Sequence, residues 1–223
     1  MSRNAPVDLL LVLAVDGSSS IDDDEDRLQR DGYCAALSDT AVLTAIRSGV
    51  FGSIGLAYVE WSGHGEQQVV APWTRIASQS DAAAWSAVVA RRSRPWRGST
   101  SISSCIEFAR LLLARAPWDS NRRVIDISGD GPDEGRDRID AVRALQQARE
   151  SVVNDGITIN GLALPSKKIS YPPTNWGATG TAEFYTDAVI GGKDAFVVEV
   201  TDQADFIPAL RRKLVREIAS GWP

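Results

Sequence analysis

The sequence predicts a doubly wound α/β fold: a mostly parallel sheet with one antiparallel edge strand and helices on both faces. Continuous apolar runs of strand length, such as Leu9 to Val15, read as strands covered on both faces. Stretches with apolar residues at i, i+3, i+4 and i+7 alternate with those runs, and that order produces right-handed βαβ crossovers. A chain of 223 residues with 43% apolar and 24% charged residues suits one ordinary domain, 1–223, with a buried core rather than a disordered segment.

In chain order, Val7 to Val15 is expected as a central strand, stopped by Asp16. The acidic run Asp22 to Asp26 lacks the glycine and distal glutamate of an EF-hand and opens a helix, since acidic residues favour the positive N-terminal end of the macrodipole. Leu28, Gly32, Ala35 and Ala36 would share the inner face of that helix. Ile54 to Trp61 is a strand that turns through Ser62-Gly63-His64-Gly65 into Gln67 to Trp73, a hairpin that supplies the antiparallel edge. A helix over Ala82 to Arg92 and a loop over Pro95 to Thr100 precede a second helix with Ile102, Cys105, Ile106, Ala109, Leu112 and Leu113 on one stripe.

Arg123 to Ser128 is the next strand, ending at Gly129-Asp130-Gly131-Pro132, and the helix after it carries Ala141, Ala144, Leu145, Ala148 and Val152. Ile157 to Leu164 is another buried strand. The irregular Pro165 to Gly180 stretch is too long for a minimal connection and reads as a surface elaboration or a functional loop. Strand Phe196 to Val200 and a helix with Ile207, Leu210, Leu214 and Ile218 complete the pattern.

With 24 Lys and Arg against 29 Asp and Glu, the net charge of −5 argues against nucleic acid as a partner, because phosphate binding needs a dense basic surface. No apolar run is long enough for a membrane span. Cys34 and Cys105 are too few for a disulfide scaffold or a thiolate zinc site and are expected as free thiols on helices.

In open α/β sheets ligands sit at the carboxyl ends of the strands, near the point where strand order reverses. Asp16, Ser18 and Ser20 alternate in the turn leaving the first strand, Thr100 lies in the loop before a helix, and Asp130 follows a later strand. An all-oxygen set of this kind suits a hard cation, Mg²⁺ above all, with Mn²⁺ or Ca²⁺ as competitors, whereas zinc would want His or Cys. The plainer reading is that Ser18 and Ser20 cap the following helix and Asp130 makes turn hydrogen bonds. Nothing points to a catalytic residue: His64 is the single histidine, and no G-x-S-x-G elbow, P-loop or G-x-G-x-x-G is present. The enzymatic alternative is a Mg²⁺-dependent phosphohydrolase with Asp16 as nucleophile, although Ser18 stands where D-x-D enzymes carry their second aspartate.

The ordered set Asp16, Ser18, Ser20, Thr100 and Asp130 resembles the metal-ion-dependent adhesion site of the von Willebrand factor type A (VWA) domain, a Rossmann-like fold. Segments beginning at Tyr58, Arg123, Gly156, Val189 and Arg211 are similar to a bacterial VWA-like family of unknown function. The resemblance implies a non-enzymatic protein-binding module. Hydroxyls and waters would supply much of the inner shell, and a protein partner would offer a Glu or Asp to the cation. It also implies that the C-terminal helix is the element that shifts when the site is liganded. Trp96 and Arg97, just before the threonine loop, are the expected partner contacts, since Trp and Arg dominate interface hot spots. Members of the bacterial family often carry an export signal; the expected location is cytoplasmic as the chain stands, periplasmic or secreted if it is a processed form.

Overall fold

A computed structural model describes residues 5–91, 98–132, 138–165 and 180–220. Six strands form one sheet in the order β3-β2-β1-β4-β5-β6, built from β1 (Leu9–Asp16), β2 (Ile54–Trp61), β3 (Gln67–Ile76), β4 (Arg123–Gly129), β5 (Thr158–Ala163) and β6 (Val197–Glu199). All neighbours are parallel except β2 and β3, the antiparallel pair at one edge. Every residue of β1 and of β2 is buried, as expected of strands covered on both faces.

One face of the sheet is covered by α1 (Asp23–Leu37), α2 (Thr40–Arg47), α3 (Gln79–Ala90) and α7 (Phe206–Ala219). On that side Tyr33, Tyr58 and Trp85 pack edge to face, with centroids 5.6 and 5.8 Å apart. The other face is covered by α4 (Ile102–Ala114), α5 (Arg138–Asn154) and the short α6 (Thr181–Phe184), which runs into a π-helical turn at Tyr185–Val189.

Asp22 caps α1 through a capping box: its side chain accepts from the Asp24 and Glu25 N–H groups, and Glu25 accepts from the Asp22 N–H at 3.0 Å. On α1, Gly32 and Ala36 are buried and Leu28 packs against the core as expected. Ala35 is exposed, and Gln29, Gly32, Tyr33, Ala36 and Leu37 point inward. Gly32 is small because Phe206 of α7 lies directly against it. Similar corrections apply to Ala144 and Ile207, which are exposed; Leu145, Ala148 and Val152 hold α5, while Phe206, Leu210, Leu214 and Ile218 hold α7. Helix α2 and the π-helical turn have no counterpart in the sequence reading, being too short for periodicity to reveal. Cys34 and Cys105 are both free thiols. Among the described residues no helix is long and apolar enough to cross a membrane.

Candidate metal centre

Strand β1 lies between β2 and β4, so the strand order reverses there and the loops leaving β1 and β4 diverge around a crevice. Asp16 is the last residue of β1, and Asp130 directly follows β4. The Gly17 N–H donates to the Trp61 carbonyl at 2.7 Å, which prolongs the β1–β2 ladder by one step before the chain turns. In the turn, the Ser18 N–H donates to Asp16 Oδ1 at 2.7 Å. Ser18 Oγ and Ser20 Oγ are hydrogen-bonded at 3.0 Å, and Ser20 Oγ donates to Asp130 Oδ1 at 2.8 Å.

Four of the five expected residues thus form one hydrogen-bonded row across two strand ends. The fifth, Thr100, is buried in a loop tied to both neighbours: the Ser19 N–H donates to the Gly98 carbonyl and the Ser101 N–H to the Ser62 carbonyl, each at 2.9 Å. Among the described residues no hydrogen bond joins the Thr100 side chain to the other four. Trp96 and Arg97 lie outside the described residues.

The electrostatics of the row suit a cation. Asp16 is 1% exposed, and its Oδ2 has no hydrogen-bond partner among the described residues. Burial, and then the charge of Asp130, push the Asp16 carboxyl up to about 7, against hydrogen bonds from Ser18 and from the Asp130 backbone that favour the ionised form. Gly129 keeps the space beside that oxygen open, since a Cβ there would sit 2.9 Å from Asp16 Oδ2 and 2.5 Å from Tyr185 Oη. Two carboxyls and three hydroxyls make an oxygen-only donor set that fits a hard divalent ion. Among the described residues no group of three or more His, Cys, Asp or Glu is arranged to hold a metal, so any cation here depends on the hydroxyls.

Several supporting residues carried no sequence signal. Gln29 Nε2 donates to the Asp16 carbonyl at 3.1 Å and Thr181 Oγ1 to the Asp130 carbonyl at 3.2 Å, fixing the two strand ends. Glu66 Oε2 accepts from Ser62 Oγ at 2.5 Å and from the Gly63 N–H at 3.1 Å, and a side chain at Gly98 would collide with it. Glu66 therefore braces the threonine loop against the hairpin. The only hint was a carboxylate just after a Gly-rich turn. His64 is exposed in that turn, with Nδ1 hydrogen-bonded to Ser104 Oγ at 2.7 Å.

The model of the family described as "Protein of unknown function (DUF1194)" matches residues 6–222. The chain belongs to the DUF1194 family. No curated protein matches this DUF1194 chain in sequence. Among solved structures it is similar to a von Willebrand factor type A protein from Catenulispora acidiphila, at 18% identity and a TM-score of 0.62, covering 95% of this chain and 43% of that one. It is also similar to proximal thread matrix protein 1 of the mussel byssus, at 13% identity and a TM-score of 0.64, covering 96% of this chain and 49% of that one. A form of the same mussel protein, with a zinc-occupied MIDAS motif, matches at 13% identity and a TM-score of 0.57, covering 94% of this chain and 46% of that one. The pilus adhesin SpaC from Lactobacillus rhamnosus GG matches at 13% identity and a TM-score of 0.62, covering 96% of this chain and 30% of that one. The DUF1194 chain has a VWA-like fold and spans less than half the length of each of these structures.

Proposed function

We propose that this DUF1194 chain is a metal-dependent protein-binding module, in which Asp16, Ser18, Ser20, Thr100 and Asp130 hold a divalent cation that engages a Glu or Asp of a protein partner. The observation that carries the reading is a row of oxygen donors ending at a buried carboxylate oxygen, Asp16 Oδ2, with no hydrogen-bond partner among the described residues. A bound cation supplies an electrophilic position for a carboxylate oxygen in a partly desolvated crevice, where Coulomb attraction exceeds its value in bulk water. The chain's own residues prepare that position. Ser18 fixes one oxygen of Asp16, Ser20 fixes one oxygen of Asp130, and Glu66 with Ser62 steadies the loop that carries Thr100.

Mg²⁺ is the expected ion, with Mn²⁺ or Ca²⁺ as competitors, because the set contains no nitrogen or sulfur. Similarity in fold to a pilus adhesin and to a matrix protein with a zinc-occupied MIDAS motif supports an adhesive role. The phosphohydrolase reading fits less well. Its nucleophile would be Asp16, a side chain 1% exposed with Oδ1 already held by the Ser18 N–H.

The test is calorimetry of the chain with Mg²⁺, Mn²⁺, Ca²⁺ and Zn²⁺, beside a pull-down in chelator and in Mg²⁺. One cation per chain is expected, with binding sharply weakened by Asp130→Ala and Thr100→Ala, and with partner capture lost on chelation and restored by Mg²⁺. Absence of cation binding at millimolar metal would sink the proposal, and phosphoester turnover abolished by Asp16→Asn would replace it with the enzymatic one.

A further inference from the structure

Asp126 of β4 meets Lys213 and Glu217 of α7 in the core, away from the metal centre. Lys213 Nζ lies 2.6 Å from Asp126 Oδ1 and 2.6 Å from Glu217 Oε1, and none of the three residues is more than 1% exposed. Asn160 Nδ2 donates to Glu217 Oε1 at 2.8 Å, while Asn160 Oδ1 accepts the Phe196 N–H at 3.1 Å. One ammonium thus serves two carboxyls, and the fully ionised cluster carries an excess negative charge where uncompensated charge is costly. Asp126 Oδ2 and Glu217 Oε2 are buried, with no hydrogen-bond donor aimed at them among the described residues. A single proton is both the missing donor and the missing charge.

Of the surrounding groups, Arg122 adds a favourable charge interaction with Glu217 without donating to its carboxyl. From α1, Tyr33 faces both carboxyls with a hydroxyl whose own ionisation is driven well above its usual range by burial. Arg122 spends its guanidinium on the carbonyls of Glu217, at 2.5 Å, and Ile218, at 2.9 Å. Arg216 lies over the Phe196 ring at 3.8 Å. Beside α2 and in the turn before α7, Asp39 and Asp205 pair at 3.4 Å with Arg211 and Arg212, on the solvent side of α7. Glu199 of β6 is exposed.

We infer that the Asp126–Lys213–Glu217 cluster is a proton-binding site that docks the last turns of α7 onto β4 when occupied and loosens them when empty. Burial, then the charge of Asp126, push the Glu217 carboxyl up to about 7, against the opposing pull of Lys213 and Asn160. Because that value lies above the ordinary 4.5, the stabilisation is complete below 4.5 and is lost as pH rises through about 7. An ionised Glu217 also has somewhere to go: it lines a cleft of about 240 Å³ at the amino ends of β4 and β5, shared with Arg122, Arg123 and Lys193.

Hydrogen exchange of α7 peptides, corrected for the intrinsic rate, tests this between pH 5.5 and 8.5. The measurement is made in the natural chain and in Asp16→Asn, so that the metal centre cannot supply the titration and its failure is told apart from failure here. Protection in α7 should fall at least tenfold across the range in both chains, and stay flat in Glu217→Gln. Asp126→Asn, which leaves one carboxyl per ammonium, should flatten it too if Glu217→Gln does not fold. Carboxyl carbon NMR gives a direct reading: the Glu217 signal, assigned by its loss in Glu217→Gln, should titrate near 7. Protection independent of pH in the natural chain, the same pH dependence in Glu217→Gln or Asp126→Asn, or a Glu217 signal titrating in the ordinary carboxylate range would each overturn the inference.

Discussion

Ser20 Oγ donates to Asp130 Oδ1 at 2.8 Å, a contact between residues 110 positions apart in sequence. It exists because β1 and β4 run parallel as neighbours, with Val15 beside Ser128, so the turns that leave them open on the same crevice. The candidate site is therefore a consequence of sheet order, and its members can be separated from the fold by substitution at the rim.

Removing that contact should show the separation. Ser20→Ala deletes two part-buried hydrogen bonds, to Asp130 and to Ser18, worth about 1 kcal/mol each, yet it removes a donor from the proposed inner shell. We expect cation affinity to drop at least tenfold while denaturant unfolding moves by no more than those two bonds are worth. Calorimetry and urea titration on the same sample check both halves, and an unchanged affinity would take Ser20 out of the ligand set.

Stability in chelator should depend on pH through Asp16. Its carboxyl sits at about 7 in the folded chain against an ordinary 3.8, so the folded state holds a proton that the unfolded chain has released between those values. That contribution is complete below 3.8 and is lost as pH rises through about 7, at a cost on the order of 2–4 kcal/mol. Thermal unfolding across this range in chelator, compared with Asp16→Asn, measures it. Mg²⁺ should restore stability most at the alkaline end, where the proton no longer competes for the carboxylate.

Gly129→Ala addresses the crevice itself. The added Cβ would meet Tyr185 Oη at 2.5 Å and Asp16 Oδ2 at 2.9 Å, so strand end, π-helical turn and ligand cannot all keep their places. Overpacking of this kind costs about 1–3 kcal/mol. The cation affinity should fall further than the stability alone would dictate, because the displaced atom is a ligand oxygen. Full metal affinity in a destabilised variant would show that the site relaxes independently of Gly129.

Much of this was written in local patterns. β1 and β2 are apolar runs whose ends coincide with Asp16 and Trp61, and the alternation of Asp16, Ser18 and Ser20 placed three oxygen donors in one turn. Pattern failed where a partner decides. Tyr33, not Ala35, faces the core because Tyr58 waits on β2 to receive it. Lys213 and Glu217 interrupt the apolar stripe of α7 as solvent-facing residues normally would, and only Asp126, some 90 positions earlier, makes them interior. The four-residue spacing of Lys213 and Glu217 was visible, but its burial was not.

The Arg30–Glu60 pair should behave as a structural lock between α1 and β2. Arg30 Nε and Nη2 donate to Glu60 Oε1 and Oε2 at 2.8 and 3.0 Å, a two-pronged contact with Glu60 only 3% exposed. Asp26, at 3.7 Å from Arg30, adds a weaker second acceptor. Arg30→Ala leaves the Glu60 carboxylate buried without its cation, a change that costs about 3–5 kcal/mol in comparable settings. Replacing both residues, as Arg30→Met with Glu60→Leu, removes the stranded charge and should recover most of the loss, so the two substitutions are strongly non-additive. Chemical denaturation of the two single variants and the double variant closes the cycle. If the double variant is as unstable as the sum of the singles, the pair is not coupled, and α1 is held to β2 by the packing of Tyr33 on Tyr58 instead.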